Sequence, residues 1–337
     1  MPSHSIKFDL ARFEHFPDND AMKSTAIFGL CWTLFWMSGS LAKAQNKNGD
    51  PQILTGATTK VYKTIGAIKL NLHIFGLDSN PNATLKPAIV FFFGGGWRGG
   101  TPKQFEQHCR YFASRGMVAI TADYRVSSRH GTKALQCVLD ANSAIRWIRK
   151  NANELGVDPS RVAAGGGSAG GHLAACTGVI SGFGEFDEDL TIGSTPNALV
   201  LFNPAVALAP VDGYPVLNGT KLKELPERMG IAPKNLSPIH HIRAESPPTI
   251  IFHGQADTTV PFWTAQAFHS AQLTHGGKSR LVSFPGMAHG FFNYGRFDNI
   301  PFRKTLEASD QFLSSLGFLL GEDTVESFLK QLSERPL

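Results

Sequence analysis

Cysteine is scarce in this chain, four residues in 337, and the close cysteine or histidine pairs that hold metals are missing. No Cys-x-x-Cys or His-x-x-x-His spacing occurs, so no metal site is assigned, and nothing in the pattern calls for a cofactor. Cys31 lies in a leader-like N-terminus. Cys109, Cys137 and Cys176 remain, and three thiols cannot all pair: either Cys109 joins Cys137 in an oxidising compartment, or all three stay free. Charge is also sparse, at 18% of residues, and the net +5 comes from basic residues that are scattered rather than striped with aromatics. That distribution argues against a nucleic-acid partner. Repeats and low-complexity tracts are lacking. With 42% hydrophobic residues, a chain of this length is expected to fold as one large α/β domain rather than a string of modules.

The N-terminus carries a processing signal. Lys23 precedes the mostly apolar stretch 26–37, which leads through Ser38-Gly39-Ser40 to Ala42-Lys43-Ala44. These are a charged n-region, an h-region and an A-x-A site, so residues 1–44 are expected to be a leader cleaved after Ala44, and the mature chain to be periplasmic or extracellular. Met22-Lys23 would itself make a start, which leaves residues 1–21 as a long n-region or an upstream extension. The stretch 26–37 falls short of the ~20 residues that a bilayer span needs, so no stable membrane anchor is expected. A linker at 45–57, a catalytic domain at 58–320 and a C-terminal helix or tail at 321–337 complete the expected organisation.

Within the domain, alternating runs at Thr58–Ile65 and Ala67–Phe75 predict two antiparallel edge strands joined at Gly66. The continuous apolar run Ala88–Phe93 predicts a parallel strand buried on both faces. Further strands are expected at Met117–Asp123, Ala198–Phe202, Thr249–His253 and Arg280–Phe284. Helices are expected at Lys103–Arg115, Ala134–Leu155, Pro261–Leu273 and Arg303–Leu316. Gly156 to Pro159 read as a turn that ends the second of these helices. Strands alternating with helices predict a mostly parallel central sheet covered on both faces, with ligands at the carboxyl ends of the strands. Residues 204–248 hold one short helical candidate, Lys221–Met229, and form either a small lid or an ordinary surface excursion.

The segment 161–174 reads strand, sharp turn, helix, and Gly166-x-Ser168-x-Gly170 within it fits a nucleophile elbow. Gly165-x-Gly167-x-x-Gly170 also fits a dinucleotide fingerprint, but the acidic residues at the right distance, Glu185 to Asp189, sit in a polar loop-like cluster. A serine hydroxyl needs a base and a carboxylate to orient that base. Asp257 follows the strand at Thr249–His253, and His289 follows the strand ending at Phe284. Asp257 alone reads as a cap for the helix near Pro261, and His289 alone as a loop histidine. In conjunction, Ser168, Asp257 and His289 occupy strand-exit loops in the order a hydrolase of this type requires. His253, His172 and the pair His240-His241 read as a strand end, a helix surface and a loop. Gly94-Gly95-Gly96 abut a buried strand, so the amides of Gly95 and Gly96 are expected to join that of Ala169 as an oxyanion hole. Trp97 reads as a wall of the substrate pocket or as an ordinary packing aromatic.

At this point the chain resembles a known family. Phe92-Phe93-Gly94-Gly95-Gly96-Trp97, Asp123-Tyr124-Arg125, Gly156-Val157-Asp158-Pro159-Ser160-Arg161, Gly166-Gly167-Ser168-Ala169-Gly170-Gly171-His172-Leu173-Ala174, His253-Gly254-x-x-Asp257 and His289-Gly290 are similar to the α/β-hydrolase esterases of the hormone-sensitive-lipase and feruloyl/acetyl-xylan esterase type. The likeness covers about residues 60–316. It implies an α/β-hydrolase fold without a large cap domain, carboxylic ester hydrolysis through an acyl-enzyme, and Ser168, Asp257 and His289 as the triad. It also implies short acyl groups on carbohydrate, acetyl or feruloyl, as substrate. Phe93 departs from the lipase-type motif, which begins with histidine, and points away from long-chain substrates. A prolyl-oligopeptidase-like peptidase shares the triad order but needs room for an N-terminal propeller that this chain does not have before Pro87. A non-catalytic binding protein of the same fold would normally have lost a triad member.

Overall fold

A computed structural model describes residues 53–78, 84–215 and 219–334, with backbone alone for 219–222. The expected leader, its apolar stretch 26–37, the cleavage point after Ala44, Cys31 and most of the linker lie outside these residues. Among them, no helix is long and apolar enough to cross a membrane.

The frame is one eight-stranded sheet. In chain order its strands are β1 (Thr58–Ile65), β2 (Ile68–Phe75), β3 (Lys86–Phe92), β4 (Val118–Ala122), β5 (Val157–Gly167), β6 (Ala198–Phe202), β7 (Thr249–Gly254) and β8 (Ser279–Phe284). They lie in the order β1-β2-β4-β3-β5-β6-β7-β8. β1 and β2 form the antiparallel hairpin around Gly66, β2 pairs antiparallel with β4, and every later pairing is parallel. Only β1 of that hairpin is therefore an edge strand. β2 sits inside the sheet because Leu70 to Phe75 are buried in succession, which a half-exposed edge would not permit.

The period of two along the inner strands builds two cores. On β3, Ala88, Val90 and Phe92 face one, and Ile89 and Phe91 face the other. Each large side chain so buried contributes about 1.5–3 kcal/mol on leaving water. The helices are α1 (Glu106–Ser114), α2 (Ser127–His130), α3 (Ala134–Lys150), α4 (Ala152–Leu155), α5 (Ala169–Val179), α6 (Gly219–Met229), α7 (Phe262–Thr274), α8 (Ile300–Ser315) and α9 (Val325–Glu334). Side chains of α3, α5 and α7 fill the first core, and those of α1, α8 and α9 the second. The single helix expected over 134–155 is interrupted at Asn151, whose Nδ2 turns back to donate to Trp147 O at 2.8 Å. The turn expected at Gly156 to Pro159 lies instead within an irregular start of β5, where the pairing with β3 jumps from Val157 to Val162.

The three cysteines among the described residues, Cys109, Cys137 and Cys176, are free and buried. Cys109 belongs to the second core and Cys137 to the first, so the sheet separates them and a disulfide between them is ruled out. On the first face, Asp140 of α3 accepts from Lys63 Nζ at 2.7 Å and from Arg125 Nε at 2.8 Å, and Glu185 accepts from the same two cations at 2.6 and 3.0 Å. The polar cluster around Glu185 thus anchors an ion network that ties β1, the exit of β4 and α3 together.

Candidate active site

β5 ends at Gly167, α5 begins at Ala169, and Ser168 alone makes the turn, at φ 55° and ψ −117°. A backbone of this kind costs about 1–3 kcal/mol outside glycine and persists only where its surroundings over-determine it. Here they do. Ser168 N donates to Phe202 O at 2.9 Å, and Ser168 O accepts from His172 N at 2.9 Å and Ala205 N at 3.3 Å. A Cβ on Gly170 would lie 2.0 Å from Phe92 O and one on Gly166 2.5 Å from the Gly170 carbonyl, so strand and helix meet at a distance that only glycine permits.

His289, in the loop leaving β8, brings Nε2 to 2.9 Å from Ser168 Oγ and Nδ1 to 2.6 Å from Asp257 Oδ2. A carboxylate can only accept, so Nδ1 carries the imidazole hydrogen and Nε2 is left to accept from the serine hydroxyl. Asp257 does both things its sequence position suggested. Oδ1 caps the turn before α7 by accepting from Thr259 N at 2.8 Å and Val260 N at 2.9 Å, while Oδ2 faces the imidazole. Burial pushes the Asp257 carboxyl up, but hydrogen bonds from His253, His289 and Val260 N–H outweigh it and hold the group well below the usual carboxylate range. It is thus a fixed negative charge beside a half-buried imidazole.

The loop after β3 closes on itself. Arg98 N and Gly99 N both donate to Gly95 O, and Gly95 has φ 129° with only 2.2 Å between a hypothetical Cβ and Gly99 O. Gly94 lies directly beside the serine, since a Cβ there would meet that of Ser168 at 3.4 Å. Among the described residues no acceptor is taken up by the amides of Gly95 and Gly96. Ala169, as the first helical residue, has no intrahelical acceptor either. The amides of Gly95, Gly96 and Ala169 are thus uncommitted among the described residues. Phe93, which stands where lipase-type motifs place histidine, is buried and stacked on Tyr124 at 4.1 Å, with Tyr124 Oη donating to Phe93 O.

Trp97 is buried, only 7% exposed, so it serves chiefly as packing and offers little surface to a pocket. Its Nε1 donates to His172 Nδ1 at 3.2 Å, and His172 Nε2 donates in turn to Leu236 O at 2.7 Å. His172, expected on a helix surface, is fully buried. The signal was present in α5, whose residues are nearly all small or apolar and which is buried on every side. The described part of the 204–248 segment lies against this loop through α6. Arg228 of α6 donates to Gly96 O at 3.0 Å and sits 5.4 Å over the Trp97 ring. Beyond α6 the segment adds short 3-10 turns at Pro233–Leu236 and Pro238–His241, which the sequence did not suggest. His240 bridges Ser237 Oγ and Pro210 O, both at 2.9 Å. His253 contacts Val260 O at 2.9 Å and approaches Asp257 Oδ2 at 3.4 Å.

A mostly parallel eight-stranded sheet with helices on both faces, and a serine, an imidazole and a carboxylate meeting at the ends of its strands, define an α/β-hydrolase fold. A model of the BD-FAE family matches residues 75–272, and the chain belongs to that family. Its similarity to solved structures is high. Thermogutta terrifontis esterase 2 phosphonylated by sarin is 52% identical with a TM-score of 0.78, over 81% of this chain and 99% of that one. The propionate-bound form of the same esterase is 52% identical with a TM-score of 0.75, over 80% of this chain and 97% of that one. Esterase LipC of Mycobacterium tuberculosis is 27% identical over 216 residues, 61% of this chain and 53% of the relative. The chain spans about half the length of the curated relatives it matches, 53% and 49% for the first two.

Proposed function

We propose that this chain is a serine carboxylic ester hydrolase that works through an acyl-enzyme, acting after export on short acyl esters of carbohydrates, acetyl or feruloyl. The hydrogen-bonded series Ser168–His289–Asp257 carries the reading. As Ser168 Oγ attacks the ester carbonyl, His289 Nε2 takes its proton and Asp257 holds the imidazolium in place. The amides of Gly95, Gly96 and Ala169 receive the charge that develops on the carbonyl oxygen, each donor worth about 3–4 kcal/mol at the transition state. The proton then passes from His289 to the departing alcohol, and the acyl group stays on Ser168. A water molecule gives a proton to His289 as it attacks the acyl carbon, the bond from that carbon to Ser168 Oγ breaks, and His289 returns the proton to Oγ as the acid leaves.

Similarity to Thermogutta terrifontis esterase 2, which has propionate-bound and butyrate-bound forms, supports short acyl groups. The test is Ser168→Ala, which keeps its fold and loses turnover of a short aryl acetate by at least about 10⁴-fold. Unchanged turnover in the purified variant rejects the mechanism. A panel of acetylated xylan, feruloylated sugars and aryl esters of rising chain length then sets the substrate, and a rate that climbs with acyl length rejects the short-chain assignment.

A further inference from the structure

The loop that carries the oxyanion amides and the loop that carries His289 are joined by a run of side-chain amides. Gly94 N donates to Gln104 Oε1 at 2.6 Å, Gln104 Nε2 donates to Asn293 Oδ1 at 2.9 Å, and Asn293 Nδ2 donates to Gly290 O at 2.8 Å. On the other side of the same residue, Gly290 N donates to Asn203 Oδ1 at 3.1 Å. Gly290 follows His289 directly and Gly94 precedes Gly95, so the run begins and ends one residue from the reacting groups.

We infer that Gln104 and Asn293 are positioning residues, which set the imidazole of His289 against the oxyanion amides by holding these two loops in one register. The inference rests on the hydrolase reading above. Its force comes from the polarity of the run. The run ends on the backbone N–H of Gly94 on one side and on the backbone C=O of Gly290 on the other, and neither of these groups can exchange its role. Gln104 must therefore turn its oxygen to Gly94 and its NH₂ to Asn293, which must do the same towards Gly290. Neither amide can flip without setting two oxygens or two donors face to face. A carboxylate at either position breaks the run although it has the same shape. In Gln104→Glu the new side chain would accept from Gly94 but place an oxygen against Asn293 Oδ1, and in Asn293→Asp it would place one against Gly290 O.

The test uses the full chain as Gln104→Glu and Asn293→Asp, with a short aryl acetate as substrate. Both variants are expected to lose kcat by about tenfold or more, the scale on which small misplacements of catalytic groups act, with KM within about twofold and a melting transition close to that of the parent. For Gln104→Glu the ratio of variant to parent kcat is expected to rise as pH falls, because the introduced carboxyl, once protonated, can again donate to Asn293. Taking the ratio removes the titration of the imidazole common to both proteins. Should Gln104→Glu not fold, Gln104→Met fills the same volume without a donor or acceptor and is read for the same loss in kcat. An unchanged kcat in the folded variants, a loss confined to KM, or a ratio indifferent to pH overturns the inference. A parent enzyme idle towards the aryl ester removes the hydrolase reading as well, so the two failures are told apart by the parent's own rate.

Discussion

Asp140 and Asp257 are both carboxylates whose side chains are wholly out of water, and they are satisfied in opposite ways. Asp140 is met by charge. Lys63 and Arg125 each reach it within 2.8 Å, and Arg125 N adds a backbone donor at 3.0 Å. Asp257 is met by dipoles, two backbone amides on Oδ1 and the imidazole of His289 on Oδ2, with the imidazole of His253 3.4 Å from the same oxygen. The first arrangement neutralises the carboxylate, joins elements that are distant in sequence and leaves nothing free to react. The second keeps the negative charge uncompensated until His289 takes a proton, which is when a triad carboxylate is needed. Burial alone thus does not separate structural from chemical acids on this fold. The partners do.

Asp257→Asn would break this contrast most severely. The Asn oxygen can keep the Thr259 and Val260 amides, but its NH₂ then faces His289 Nδ1 and forces the wrong tautomer on the imidazole. A fall in kcat of about 10³–10⁴ is expected, with little change in the unfolding midpoint. Asp140→Asn should give the reverse. It leaves Lys63 and Arg125 with Glu185 alone, and removing one partner from a buried ion group costs about 3–5 kcal/mol. Urea unfolding would read that loss, while kcat per folded molecule stays close to the parent value. If Asp140→Asn lost turnover at unchanged stability, the division of labour between the two carboxylates would be wrong.

Much of this was legible because the chemistry lies at strand exits, and strand exits announce themselves. The continuous apolar run at 88–93 marks a strand buried on both faces, and the glycines beside it and around Ser168 can do little else there than bring backbones together. The order of serine, acid and base then located the three loops. What stayed hidden are contacts between residues with no local pattern to reveal them. Gln104 and Asn293 are 189 residues apart and look like ordinary polar residues, one at the start of an expected helix and one in a loop. Asp140 sits in an amphipathic helix where an acidic residue reads as solvent-facing, and only the folded hairpin brings Lys63 to it. The Cys109–Cys137 pairing fails for a related reason, since proximity along the chain says nothing about which face of the sheet a helix covers.

His172 lies between the two cases, a buried titratable group at the active rim that carries no charge. Burial pulls its pKa down to about 4, against which the hydrogen bond to Leu236 O is the weaker influence. The unfolded chain therefore takes up a proton as pH falls below about 6.5 that the native protein refuses until about pH 4, so stability is full above that window and drains away as pH falls through it. The loss from this one side chain reaches about 3 kcal/mol at the acid end. His172→Gln offers an acceptor to Trp97 Nε1 and a donor to Leu236 O without a group that titrates. Urea midpoints of the two proteins should nearly agree at pH 7.5 and diverge at pH 4.5, with the variant losing less. Parallel curves would mean that the native protein accommodates the imidazolium, and that the bracket between Trp97 and Leu236 is not the neutral one its hydrogen bonds describe.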